Sequence, residues 1–141
     1  MRVVLDTDVM VSAFRGRTGA SRAWLRAALQ GEIVPILSVP LIIQYEEVLT
    51  RPEHLAAAET DARTVQRILD AFCTMSEHVE ISFLWRPVLK DASDEMVLEA
   101  AVNGRADVLL TFNERDFAGA KRFAVDVSKP GPAWKKWKES Q

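Results

Sequence analysis

A chain of 141 residues is most economically one domain, long enough to bury a core without disulfides or a structural metal. Its 48% hydrophobic and 27% charged residues are an ordinary globular balance, and a formal net charge of -2 argues against a nonspecific duplex binder, because any nucleic-acid contact must rest on local positive charge. The single cysteine, Cys73, excludes an intramolecular disulfide and lies in an apolar stretch, where it reads as a small buried residue rather than a catalytic thiol.

Arg2-Val3-Val4-Leu5 reads as a strand buried on both faces, typical of parallel sheets covered by helices, and it runs into two carboxylates, Asp6 and Asp8. Either acid suits the N-cap of the helix that Val9 to Phe14 begin. Equally, Asp6 stands at the carboxyl end of a central strand, the edge at which open α/β sheets bind ligands. Met1 leads directly into this strand, leaving no room for a signal peptide, and no apolar run is long enough to span a bilayer. A cytoplasmic chain without membrane contact is expected. Gly16 to Gly19 is a polar break, followed by a helix over 20–29 with Trp24, Leu25, Ala28 and Leu29 on one side and a stop at Gly31. Residues 33–37 read as a short strand in which Pro35 costs a ladder bond unless its edge is unpaired. Ser38 is the expected cap of a helix with Pro40 in its first turn, running to Leu49 and ended by Arg51-Pro52.

The spacing of Val65, Ile68, Leu69 and Phe72 predicts a helix over 61–75, capped by Thr60 or Asp61. Val79-Glu80-Ile81 is a candidate strand. A loop carrying Trp85, Pro87 and Asp91-Ala92-Ser93-Asp94-Glu95 leads to a helix starting near Asp94 and ending near Gly104. Residues 107–111 form the second good buried strand, running into the polar segment Thr111 to Asp116. A last strand around 123–127 precedes a tail, 129–141, with Pro130, Pro132, Trp134 and Trp137. Strands alternating with helices predict an α/β sandwich with a mostly parallel sheet over residues 1–128.

In such a sheet Asp6 and the segment 113–116 follow strands whose carboxyl ends share one edge, and the helix near Asp94 can present its N-terminus there. An acidic cluster of this kind is costly unless a cation occupies it, and oxygen ligands suit Mg2+ or Mn2+. Zinc is disfavoured by only two histidines and one cysteine, a serine nucleophile by the lack of Gly-x-Ser-x-Gly, and a phosphate cradle by dispersed glycines. Metal-assisted phosphodiester hydrolysis is the chemistry such a cluster suits. Each acid also has a structural role open to it. Asp94 can be an N-cap or a first-turn acid, Asp91 can do no more than order its loop, and Asp116 can cap a turn at Phe117.

Leu5-Asp6-Thr7-Asp8-Val9, Asp91-x-x-Asp94-Glu95 and Leu110-Thr111-x-Asn113-x-x-Asp116-Phe117, with Ser38-x-Pro40 and Val48-Leu49-x-Arg51-Pro52 between them, together resemble a PIN domain. The subgroup most similar is the VapC-type toxins of toxin–antitoxin pairs, and the similarity spans nearly the whole chain. The resemblance implies a single-domain three-layer α/β/α sandwich, an Mg2+- or Mn2+-dependent endoribonuclease acting on RNA, a cognate antitoxin as partner, and a homodimer or higher oligomer. It places Asp6, Asp94 and Asp116 at the metal-binding, catalytic positions. Asp8 stands where many members have Asn, Asn113 matches a polar site position, and Thr7, Ser12 and Thr111 can orient ligands or waters. One departure is Gln44, where the family usually has a catalytic Glu. Glu47, three residues on, or the extra carboxylate of Asp8 is the candidate compensation. Gln44 also motivates a second reading, a weakly catalytic fold kept as an RNA- or protein-binding module. Arg15 and Arg17 are candidate phosphate contacts. Trp134-Lys135-Lys136-Trp137-Lys138 suits either single-stranded RNA or a docked terminal segment.

Overall fold

In the computed structural model, which describes residues 1–16, 19–82 and 89–141, five short strands form one parallel sheet. They are β1 (Arg2–Leu5), β2 (Val34–Leu37), β3 (Glu77–His78), β4 (Val108–Leu110) and β5 (Asp126–Ser128), in the order β3-β2-β1-β4-β5. Helices flank this sheet: α1 (Thr7–Arg15), α2 (Ala20–Leu29), α3 (Val39–Leu49), α4 (Pro52–Ala57), α5 (Ala62–Met75), α6 (Ala92–Asn103) and α7 (Pro130–Glu139), with a 3-10 segment over Glu114–Phe123. Val3, Val4 and Leu5 are buried on both faces, as an apolar run between helical layers requires. Among the described residues no helix is long and apolar enough to cross a membrane.

Pro35 is accommodated by register. Val34 N–H donates to Met1 O at 2.8 Å, so the next residue directs its nitrogen to the opposite side, where β3 pairs only from Ile36 onward. Ser38 caps α3 by accepting from Leu41 N–H at 3.3 Å, and Asp61 caps α5 through Thr64 N–H at 2.7 Å. At the other end of the core, Gly104 lets the end of α6 press on Ile36 of β2, where a Cβ would collide.

Several expectations are corrected. Arg51-Pro52 does end α3, but Pro52 also starts the short helix α4, a position that tolerates a missing N–H. The third strand lies at Glu77–His78 rather than 79–81, although Val79 N–H still donates to Leu37 O at 2.8 Å. The last strand begins at Asp126, because Ala124 takes a left-handed conformation (φ 57°) that closes the 3-10 segment. Of the readings open for the aromatic tail, the docked terminal segment is the one the fold shows, as the helix α7. Trp24, fully buried on α2, donates its indole N–H to Pro130 O at 3.0 Å, stacks on Trp137 at 5.4 Å and meets Trp134 edge-on at 5.1 Å. Arg17, Trp85 and Pro87 lie outside the described residues.

Candidate functional site

The chain leaves β1 for β2 and β3 on one side and later crosses to β4 and β5 on the other. The direction of winding therefore reverses between β1 and β4. A crevice opens over the carboxyl ends of strands at such a reversal, and Asp6 and Thr111 occupy those two ends. Asp6 N–H continues the ladder to Leu110 O at 2.9 Å, which fixes the backbone of the first acid.

Asp6 is both helix cap and site residue, so the two roles do not compete. One carboxylate oxygen accepts from Thr7 N–H at 2.7 Å and the other from the Thr111 hydroxyl at 2.8 Å. Thr111 Oγ1 in turn accepts from Asn113 N–H at 3.0 Å. Asp8, half-buried one residue into α1, accepts from Phe112 N–H at 3.1 Å and from the Asn113 amide at 3.0 Å through a single oxygen, Oδ2. Its other oxygen, Oδ1, is buried and has no hydrogen-bond partner among the described residues.

The cap of α6 is Asp91, which accepts from Ser93 N–H at 2.8 Å and more weakly from Asp94 N–H at 3.4 Å. Asp94 is therefore not the cap but a first-turn acid, half-buried and free to face the cleft. Among the described residues Asp116 makes no capping bond either. It sits exposed at the start of the 3-10 segment, its N–H bonded to Asn113 O at 3.0 Å.

These acids feel one another. Burial, then the neighbouring Asp8 charge, pushes Asp6 up to about 7 against donors at Thr111 and Thr7 that favour the anion, and Asp94 adds to the rise. Asp94 is pushed up to about 6 by burial and by the charges of Asp91, Asp116 and Asp8. Burial also raises Asp8. The cleft thus gathers Asp6, Asp8, Asp94 and Asp116 from three distant segments and holds their negative charge at a cost that a cation would offset. All the donors are oxygens, and Asp8 Oδ1 is an unused one, so the set fits a hard divalent ion. As oriented, no three acidic, histidine or cysteine side chains among the described residues converge on one point.

Other expected residues fall around this cleft or away from it. Gln44 reaches in, donating its amide to Thr7 Oγ1 at 2.9 Å. Glu47 turns to solvent and pairs with Arg51 at 3.4 Å, one helical turn on, so it does not stand in for a carboxylate at Gln44. Ser12 lies one turn beyond Asp8 on α1, with no side-chain bond into the cluster among the described residues. Arg15 is at the far end of α1, roughly 12 Å along the axis from Thr7, and its guanidinium meets His54 Nδ1 at 2.9 Å. Tyr45, which the sequence reading assigned no role, is buried beneath the site. Its hydroxyl donates to Leu5 O, the carbonyl of the peptide group that carries Asp6. Burial, reinforced by the Asp6 charge, holds this phenol well above its ordinary value, so it remains a donor.

A family model described as PIN domain matches residues 2–115. No curated relative matches in sequence. In fold, the chain is similar to a chain in the crystal structure of VapBC2 from Rickettsia felis bound to a DNA fragment from their promoter. The TM-score is 0.62 at 16% identity, and the alignment covers 92% of this chain and 98% of that one.

Proposed function

This chain belongs to the PIN-domain family, and on that premise we propose that it is a nuclease, more narrowly an Mg2+- or Mn2+-dependent endoribonuclease acting as the toxin of a toxin–antitoxin pair. The observation that carries this reading is the gathering of Asp6, Asp8, Asp94 and Asp116 at the sheet's winding reversal, with Asp6 and Asp94 both held above the ordinary carboxylate range. Asp6, Asp94 and Asp116 would hold the metal. Asp8 offers its unused oxygen beside them. A bound divalent ion supplies charge stabilisation at the phosphate and a water ionised near neutral pH.

The chain's own residues do the orienting. Thr7 N–H and the Thr111 hydroxyl fix Asp6, while Phe112 N–H and the Asn113 amide tie Asp8 of α1 to the segment after β4. Asp116 and Asn113 are exposed at the mouth, where a single strand of RNA has access. The likeness in fold to a chain of the VapBC2 complex is in keeping with a protein partner of the antitoxin kind.

Incubation with single-stranded and structured RNA, with Mn2+ or with chelator, tests the proposal. Cleavage that needs Mn2+ and is lost in Asp6→Ala is expected; cleavage surviving that change belongs to a contaminant and removes the enzyme assignment. Gln44 favours a second reading, a binding module of low activity, because its amide brings no charge and is engaged with Thr7. Metal-dependent RNA binding without cleavage would select it.

A further inference from the structure

Phe112 stands at the rim of the acidic cleft with its ring in solvent. It is 43% exposed, whereas Phe14, Phe72 and Phe117 are buried in the core and Phe123 is half-buried against it. The backbone that carries the exposed ring is pinned on both sides. Thr111 donates its N–H to Ser128 O at 3.0 Å and its hydroxyl to Asp6 at 2.8 Å, and Phe112 N–H donates to Asp8 Oδ2 at 3.1 Å. Asn113 donates its N–H to Thr111 Oγ1 and its amide to Asp8 Oδ2, each at 3.0 Å. Only two side-chain torsions are left to the ring, so holding a flat ligand costs little ordering entropy.

The surroundings narrow what this ring can receive. Asn113, Glu114, Arg115 and Asp116, which follow it, are all exposed and polar. The other large apolar residues exposed among the described ones belong to other places in the fold. Met1, Val34 and Met75 are at the amino ends of strands, on the opposite edge of the sheet, and Val39 and Ile43 are on α3, which follows β2 rather than β4. Phe112 is thus an isolated π face among polar groups, unlike the contiguous apolar patch that a protein interface buries. A flat face within a polar rim suits a nucleobase, which stacks through its own face and offers donors and acceptors at its edge.

We propose that the Phe112 ring is the platform on which an unpaired base of the RNA strand stacks, beside the phosphate held at the acidic cleft. This rests on the nuclease reading and deepens it. The strand entering the cleft is single, because a base inside a duplex has both faces covered by its neighbours. The ring acts through its face and not through the metal, since replacing the side chain leaves the Phe112 N–H on Asp8 in place.

The test measures binding of a short single-stranded RNA to the full chain in Ca2+, which takes the same oxygen donors, with one abasic position walked along the strand. Phe112→Leu keeps an apolar side chain but removes the π face. It should bind the intact strand about tenfold more weakly, the value of one stacked base, while Phe112→Trp binds at least as well as the native chain. Removing the base at one position should weaken the native chain by the same factor and leave Phe112→Leu unaffected. Mn2+ affinity in calorimetry should be equal in the native and Phe112→Leu chains, so that failure of the acids to hold metal shows separately from failure of the ring. Equal binding of the intact strand by Phe112→Leu overturns the proposal and leaves the ring to a protein partner. A loss in Phe112→Leu that persists with every abasic strand, an equal loss with a duplex of the same sequence, or a changed Mn2+ affinity overturns it as well. A native chain that binds no single-stranded RNA overturns it together with the nuclease reading.

Discussion

Replacing Asp6 by Asn should stabilise the metal-free protein while removing its function. A carboxyl raised from 3.8 to about 7 by burial and by Asp8 carries a penalty of roughly 4 kcal/mol when ionised. The amide sheds that penalty. Its oxygen still accepts from Thr7 N–H, but the Thr111 hydroxyl, which now donates to the carboxylate, must reverse and accept, at a cost of about 1 kcal/mol. A net gain of about 3 kcal/mol is expected, measured as a higher urea midpoint at pH 8 in chelator with an unchanged slope. The pH dependence supplies the sign. Above about pH 7 both folded and unfolded chains carry Asp6 ionised and the penalty is complete; below that the folded chain keeps a proton the unfolded chain has lost, so stability rises as pH falls toward about 4. The Asn variant should show a shallower rise, to which Asp94, held at about 6, and Asp8, also raised by burial, still contribute. A variant less stable than the native chain at pH 8, or a native chain whose stability is flat between these limits, would refute the reasoning.

Tyr45→Phe leaves the buried Leu5 carbonyl without its donor and should cost about 1–3 kcal/mol in urea unfolding, whereas an unchanged midpoint would show the contact to be idle. Gln44→Glu places a charged oxygen beside Thr7 and should tighten Mn2+ binding in calorimetry; Glu47→Ala should leave that affinity unchanged, because Glu47 faces solvent and Arg51. Asp91→Ala removes the α6 cap and should lower stability by about 1 kcal/mol, a loss that Asp94→Ala should not reproduce.

The buried strands were legible because Val3-Val4-Leu5 and Val108-Leu109-Leu110 are continuous apolar runs, which a sheet covered on both faces demands. Ser38 with Pro40 marked the start of α3 for the same local reason. Glu77–His78 escaped notice because both residues are exposed and polar; the strand exists through pairing with Ile36 and Leu37 rather than through its own pattern. The segment 91–95 offered two aspartates as cap, and only the backbone shows that Asp91 takes the role and leaves Asp94 to the cleft. That Asp94 feels the charges of Asp8 and Asp116, and Asp6 that of Asp94, is in keeping with a parallel sheet whose strand ends share one edge. The contacts of Gln44 with Thr7 and of Tyr45 with Leu5 join residues far apart in the chain and have no local signature.

The most direct test of the claim that these acids form one cation site is paramagnetic broadening of the 15N-labelled chain by substoichiometric Mn2+. Amides of Thr7, Asp94, Phe112 and Asn113 should broaden first, and Asp94→Asn should weaken the effect at all four together. Broadening spread over exposed acids such as Asp61 and Asp70, or an effect at Thr7 indifferent to Asp94→Asn, would contradict a shared site.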